Sequence, residues 1–267
     1  MVDADTAAWR IQVDDGEAHE VKKHTVEQHQ RQLAETRVIL GDKLHLYQVA
    51  CSSNSEACPS LIVARLHTSR LRSHHPPQQI HSATEASGVL TDPDVLDALA
   101  TLRDQGVAVG ASVSFPQGKP LELATAATSA DAKPLFASVQ ATYNLLDQSA
   151  GPLLEAAAAQ GVFVIIKEGV ANGRLTARNI GSQALELLEA EAAKLSTTPD
   201  ALALAWILTQ PFVGMVLSGA STCEQLRSNV AALKLVPLEP ALHERLGKAL
   251  AQECEQYWQD RRNLAWN

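Results

Sequence analysis

From residue 107 onward the sequence repeats one unit: a short, almost wholly apolar run followed by a stretch of helical period. The runs are VAVGASV (107–113), LFASVQA (135–141), VFVIIK (162–167) and VGMVLS (213–218). Near-continuous apolar strands alternating with helices point to a parallel sheet buried on both faces, with the helices as its cover. VFVIIK is the strongest strand signal, because its five apolar residues are all β-branched or aromatic. Between the runs, Asp92 with Pro93 predicts a capped helix that ends near Gln105 before Gly106. Further helices are expected over about 120–130, 153–160, 184–195 and 200–210. Thr222 and Gln225 read as a capping box for a helix through Leu235, and a last amphipathic helix is expected over 239–256. Upstream, WRIQV (9–13) suits a short strand, 25–40 a helix stopped by Gly41, and LHLYQV (44–49) another strand. Such an alternation either closes into an eight-stranded barrel or stays an open, doubly wound sheet. Polar residues at the strand exits favour the barrel. No Gly-x-Gly-x-x-Gly follows a strand, which speaks against an open dinucleotide-binding sheet.

Composition narrows the function classes. The chain has 267 residues, 46% of them apolar, enough for one large domain or two small ones. Lys and Arg number 22 against 30 Asp and Glu, a net charge of -8, so no general nucleic-acid surface is expected. No apolar run is long enough for a membrane-spanning helix, and the acidic start lacks the apolar core of a secretory signal. The expectation is an intracellular, cytoplasmic protein without membrane partners. Cys51, Cys58, Cys223 and Cys254 form no two-residue-spaced motif, which suits reduced thiols; the alternative for the first two is a disulfide. His19, His24 and His29 recur every five residues, a spacing that holds no single helix face, so no metal site is expected.

Residues 50–79 break the pattern. The stretch is rich in Ser, His and Arg, carries Pro76-Pro77, and has no Gly and no clean period. A structureless loop of this length is uncommon inside a compact domain. The segment is expected to lie outside the core as an irregular insertion.

Several blocks resemble the aldo-keto reductases in that family's order. FASVQATYNLLDQSAGPLLEAAAAQGVFVIIKEGVANGRLT is similar to strands six and seven, and ALAWILTQPFVGMVLSGASTCEQLRSNVAAL to the final helix–strand–helix phosphate region. VKKHTVEQHQRQLAETRVILGDKLHLYQV, followed by IHSATEASGVLTDPDVLDAL, resembles helix three, strand four and helix four. The resemblance spans about 17–49 and 81–249 and implies one partial (β/α)8 TIM barrel over 1–267, lacking about the first three strands. It places 50–80 as an insertion in mid-strand.

The resemblance also implies nicotinamide-dependent reduction of an aldehyde or ketone with NADP(H) or NAD(H). The family's tetrad is Asp, Tyr, Lys and His. The match starts after strand three, so only the histidine has a counterpart, His81, in the family's L-Y-Q-I/V-H-S strand. An impaired reductase is therefore expected, or alternatively a silent relative that binds a nucleotide or a partner. Ser112 and Gln140 match residues that hold the nicotinamide amide, although Val113 stands where many members carry an asparagine. Lys167 stands where many carry a stacking tyrosine. Gly219, Ser221, Thr222, Gln225 and Asn229 match the phosphate and adenine side, with Gly219 and Gln225 at positions often basic. Cofactor binding is thus expected to be weak or absent, with a small carbonyl compound as substrate if the chain is active. Sheet edges left by the missing strands suggest self-association.

Overall fold

The computed structural model describes residues 78–264, apart from 105, 107, 129–133, 180, 181 and 221, together with four short upstream strands. Three of those, β1 (Val2–Asp3), β2 (Ala8–Gln12) and β3 (Ala18–Lys22), form an antiparallel sheet in which Ala8 pairs with Lys22 and Gln12 with Ala18. Residues 9–12 of WRIQV thus lie in a strand, and it brings two partners that the sequence does not announce. The expected helix at 25–40 and strand at 44–49 lie outside the described residues.

The main sheet has six strands. They are β4 (Ile62–Val63), β5 (Gln78–Ala83), β6 (Val109–Val113), β7 (Ser138–Thr142), β8 (Phe163–Lys167) and β9 (Met215–Leu217), in spatial order β4-β9-β8-β7-β6-β5. The pairs from β5 through β9 are all parallel. Parallel neighbours need crossover connections, and helices supply them. These are α1 (Pro93–Asp104), α2 (Gly118–Ala126), α3 (Gly151–Ala159), α4 (Gln183–Lys194) and α5 (Pro199–Leu208), followed after β9 by α6 (Cys223–Ala231), α7 (Pro240–Leu250) and α8 (Cys254–Arg262). The result is an incomplete TIM-barrel-like α/β fold, as the alternation predicts.

Two expectations need correction. Residues 50–79 are not wholly outside the sheet. Ile62–Val63 pairs antiparallel with β9, Ile62 opposite Leu217, and covers an edge that would otherwise present unpaired backbone groups. The strand ahead of β6 is built from Gln78 onward, within the supposed insertion, and pairs Gln78 with Val109 and Ile80 with Ala111. The expected single helix at 239–256 is two helices, because Ala251 and Glu253 are extended and the Gln252 N–H donates to the Leu146 carbonyl at 2.9 Å. A tertiary hydrogen bond there replaces a helical one.

The helix starts behave as their residues predict. Asp92 Oδ1 accepts from the N–H groups of Asp94 and Val95, and Thr198 and Ser182 cap α5 and α4. Residues 201–208 of α5 are all buried, as expected of a helix apolar on every side. Val139 and Ala141 of β7, Val164 and Ile166 of β8 and Val216 of β9 belong to the same core. This is the helix-facing side of the sheet, and successive residues point to the opposite side.

Gly169, just after β8, lets α5 approach this face. A Cβ there would lie 2.8 Å from Leu204 Cδ2, 3.1 Å from Ile207 Cδ1 and 3.2 Å from Val216 Cγ1. Gly169→Ala is therefore expected to lower the unfolding free energy by about 1–3 kcal/mol through overpacking, read as a reduced urea midpoint at unchanged slope.

Candidate functional site

The other sheet face is polar at its C-terminal end. Ser112 pairs with Gln140, and Thr142 pairs with Lys167, so these four residues stand on one face of β6, β7 and β8. Ser112, Gln140 and Thr142 are buried, and Ser112 Oγ, Gln140 Oε1 and Thr142 Oγ1 have no hydrogen-bond partner among the described residues. Leaving such atoms unsatisfied costs about 1–3 kcal/mol each, so a row of three is a place where a polar ligand would be stabilised. The row is held rigidly. The Gln117 side chain, buried ahead of α2, donates to the Thr142 carbonyl at 2.9 Å and accepts from the Thr142 N–H at 3.1 Å. It thereby continues the pairing at the last residue of β7, beyond the final β6–β7 pair, Ser112 with Gln140. Sequence reasoning missed Gln117, for which a polar residue before a helix is no distinctive signal.

At the next strand exit, burial lowers the Lys167 ammonium to about 8, with Glu168 opposing the shift and Arg261 adding to it. Glu168 does not neutralise its neighbour, because its own carboxylate is engaged elsewhere. Arg261 donates to it through Nε at 2.9 and 3.0 Å and through Nη2, and the Tyr257 hydroxyl donates at 3.3 Å. Glu168 has φ 57°, a left-handed conformation unusual for a residue other than glycine. Asn144, just past β7, donates to both the Glu168 carbonyl and the Tyr257 hydroxyl, at 3.0 and 2.9 Å. Burial, and then the Glu168 charge, push the Tyr257 phenol well above its usual range, so it stays a neutral donor. The Arg174 guanidinium lies 4.2 Å from the centre of the Tyr257 ring. Phe115, past β6, packs on Trp258 with centroids 4.9 Å apart. Helix α8 thus reaches the exits of β6, β7 and β8 together.

The third part of the site is the turn from β9 to α6. Gly219 has φ 63°, and Asn229 is buried and donates through Nδ2 to the Ser218 carbonyl at 3.0 Å and to Ser218 Oγ at 2.7 Å. Asn229 therefore braces the turn. Thr222 caps α6 by accepting from the Gln225 N–H at 3.2 Å, which takes one of the N–H groups that an anion at this helix start would use. Ser221 lies outside the described residues. His81 sits on β5 where the register slips, since three steps from Ile80 to Ala83 match two on β6. Its side chain lies outside the described residues. The structure therefore gathers Ser112, Gln140 and Lys167 on one face, and Gly219, Thr222, Gln225 and Asn229 around one turn. Among the described residues no three metal-ligating side chains gather, and no described helix is long and apolar enough to cross a membrane.

Comparison with known proteins bears on this arrangement. The model of the aldo/keto reductase family matches residues 16–251. No curated protein matches the chain. Among solved structures, the holo form of an aldo-keto reductase from Bacillus halodurans is 25% identical with a TM-score of 0.50, and the match covers 67% of this chain and 62% of that one. The apo form of the same enzyme gives 24% identity and a TM-score of 0.50 over the same shares. A thermostable aldo-keto reductase in complex with the inhibitor epalrestat gives 22% and 0.52, over 65% of this chain and 60% of that one. The chain thus spans less than two thirds of the length of these relatives.

Two outcomes follow from the geometry. The Glu168 and Arg261 side chains are 12% and 25% exposed, so removing either leaves a poorly solvated charge. Glu168→Gln or Arg261→Ala should lower stability by about 2–3 kcal/mol, and the double variant by less than the sum of the two, in a urea double-mutant cycle. Lys167 has a folded pKa of about 8 against an ordinary 10.5, so between those values the unfolded chain binds more protons. Stability contributed by this group rises with pH through that window and is lost as pH falls through about 8. The stability difference between wild type and Lys167→Met, followed from pH 7 to 10.5, should show that rise; a flat difference would refute the shift.

Proposed function

Because the chain belongs to the aldo/keto reductase family, we propose that it is an oxidoreductase-type protein whose polar sheet face holds the nicotinamide end of NADP(H) or NAD(H). The observation that carries this reading is the adjacent pair of buried, unsatisfied atoms Ser112 Oγ and Gln140 Oε1. A carboxamide needs one donor for its carbonyl and one acceptor for its amino group. A serine hydroxyl and a glutamine carbonyl supply them in that order. When bound, the nicotinamide supplies a hydride for a carbonyl carbon. The chain's own residues orient the amide, exclude water and fix the end of β7 through Gln117.

Affinity is weak in this reading. Lys167 offers no ring to stack on nicotinamide. At the phosphate side, Thr222 occupies the Gln225 N–H, and Glu224 in the first turn of α6 repels an anion. The same features leave little basis for preferring the phosphorylated cofactor.

A second reading, a catalytically silent relative that keeps the nucleotide contacts, is favoured by the slipped register around His81. A catalytic hydrogen bond tolerates little misplacement: about 1 Å costs roughly 100-fold. The two readings separate in one set of measurements on residues 1–267. Calorimetric titration with each cofactor is expected to give dissociation constants weaker than micromolar, and Ser112→Ala or Gln140→Leu should weaken binding by about tenfold or more. Unchanged binding in both variants would overturn the amide assignment. Cofactor absorbance against a panel of aldehydes and ketones is expected to show no turnover; robust turnover abolished by His81→Ala would overturn the silent reading.

A further inference from the structure

Lys167 is the described chain's most chemically unusual amine, and nothing in the nicotinamide reading uses it. It is the last residue of β8 and stands beside Thr142, on the face that also carries Ser112 and Gln140. It is half-buried. The carboxylate nearest in sequence, Glu168, is taken by Arg261 and Tyr257, and no ion pair joins Lys167 to another described residue. Unsatisfied oxygen atoms, Thr142 Oγ1 and Gln140 Oε1, stand on the same sheet face, and the Glu168 charge offsets only part of the effect of burial on the amine. A desolvated lysine with no ion-pair partner among the described residues, on the same face as hydrogen-bonding groups at the C-terminal end of a parallel sheet, is the arrangement of a nitrogen nucleophile.

We propose that Lys167 reacts with small aldehydes to form an imine on the polar face of the sheet. The neutral amine donates its lone pair to the carbonyl carbon, and the carbonyl π pair moves to oxygen. That oxygen gains a proton as the nitrogen gives up one of its two, giving a neutral carbinolamine whose hydroxyl lies on the side of Thr142 and Gln140. Loss of water, with departure of the remaining proton on nitrogen, forms the carbon–nitrogen double bond. The step consumes one aldehyde and releases one water, and needs no oxidant, reductant or nucleotide. The lowered basicity of the amine assists it. With its pKa lowered to about 8, more of the side chain is neutral at pH 7 than for an ordinary lysine. This inference goes beyond the nicotinamide reading and stands whether or not a cofactor binds.

The test uses the full chain at pH 7 without nucleotide. Propanal at low concentration is followed by borohydride, which reduces the imine to a stable secondary amine, and peptide mass spectrometry counts propylated lysines over time. Lys167 is expected to label at least about tenfold faster than the exposed Lys119, Lys194 and Lys248. Thr142→Val should slow labelling at Lys167 while leaving those three unchanged. Lys167→Arg, which keeps the charge, should remove the fast phase with an unchanged circular dichroism spectrum. Labelling at Lys167 no faster than at Lys248 would overturn the proposal, and this wild-type comparison decides the matter even if the variants do not fold. A fast phase that survives Lys167→Arg would overturn it as well.

Discussion

The C-terminal end of this sheet is organised around one engaged carboxylate. Glu168 follows β8 in a left-handed conformation and accepts from Arg261 and Tyr257, while its carbonyl accepts from Asn144. Those contacts join the exits of β7 and β8 to the last helix. A carboxylate with two oxygens can accept several hydrogen bonds, and here they are filled from α8, 89 and 93 residues away in sequence. The consequence falls on the neighbour: Lys167 is left beside a negative charge already committed to another cation. Its low basicity follows from burial, with a partner too well satisfied to compensate.

The two faces of the sheet divide the work. The helix-facing side, from Val139 and Ala141 to Val164, Ile166 and Val216, merges with the buried residues 201–208 of α5 into a continuous core. The opposite side carries Ser112, Gln140, Thr142 and Lys167. Because strand residues alternate, the rigidity of the apolar side fixes the spacing of the polar side. Gly169 matters for this reason: the closeness of α5 to β8 that it permits is transmitted one residue away to the site.

Much of the sheet is legible in the sequence, and its departures have physical causes. The run at 135–141 predicts a strand, yet β7 begins only at Ser138, where Gly110 of β6 is available to pair; Leu135 and Phe136 are buried without being paired in the ladder. Strand β4 is invisible because two residues have no period. Helix α8 is obscure because CEQYWQDRR is polar and buries only Tyr257 and Trp258, so no stripe marks its inner face. Ser112, Gln140 and Lys167 are legible only through the order of strands in a family, and the structure adds that the first two lie side by side. The Glu168–Arg261 pair left no local trace, as is usual for charges that meet only through tertiary structure.

Strand β4 gives the sheet an unusual kind of tolerance. Pairing between strands normally carries positional information, because a one-residue shift exchanges the residues on the two faces. Here the added strand is Ile62–Val63, two branched aliphatic residues of similar size. A one-step shift that brought Ile62 opposite Val216 would bring Leu61 opposite Leu217, and each face would still receive a branched aliphatic residue. The edge of β9 is therefore sealed by a segment that encodes its composition but hardly its alignment. Such a seal can drift along the chain under mutation, as long as two adjacent branched residues remain within reach.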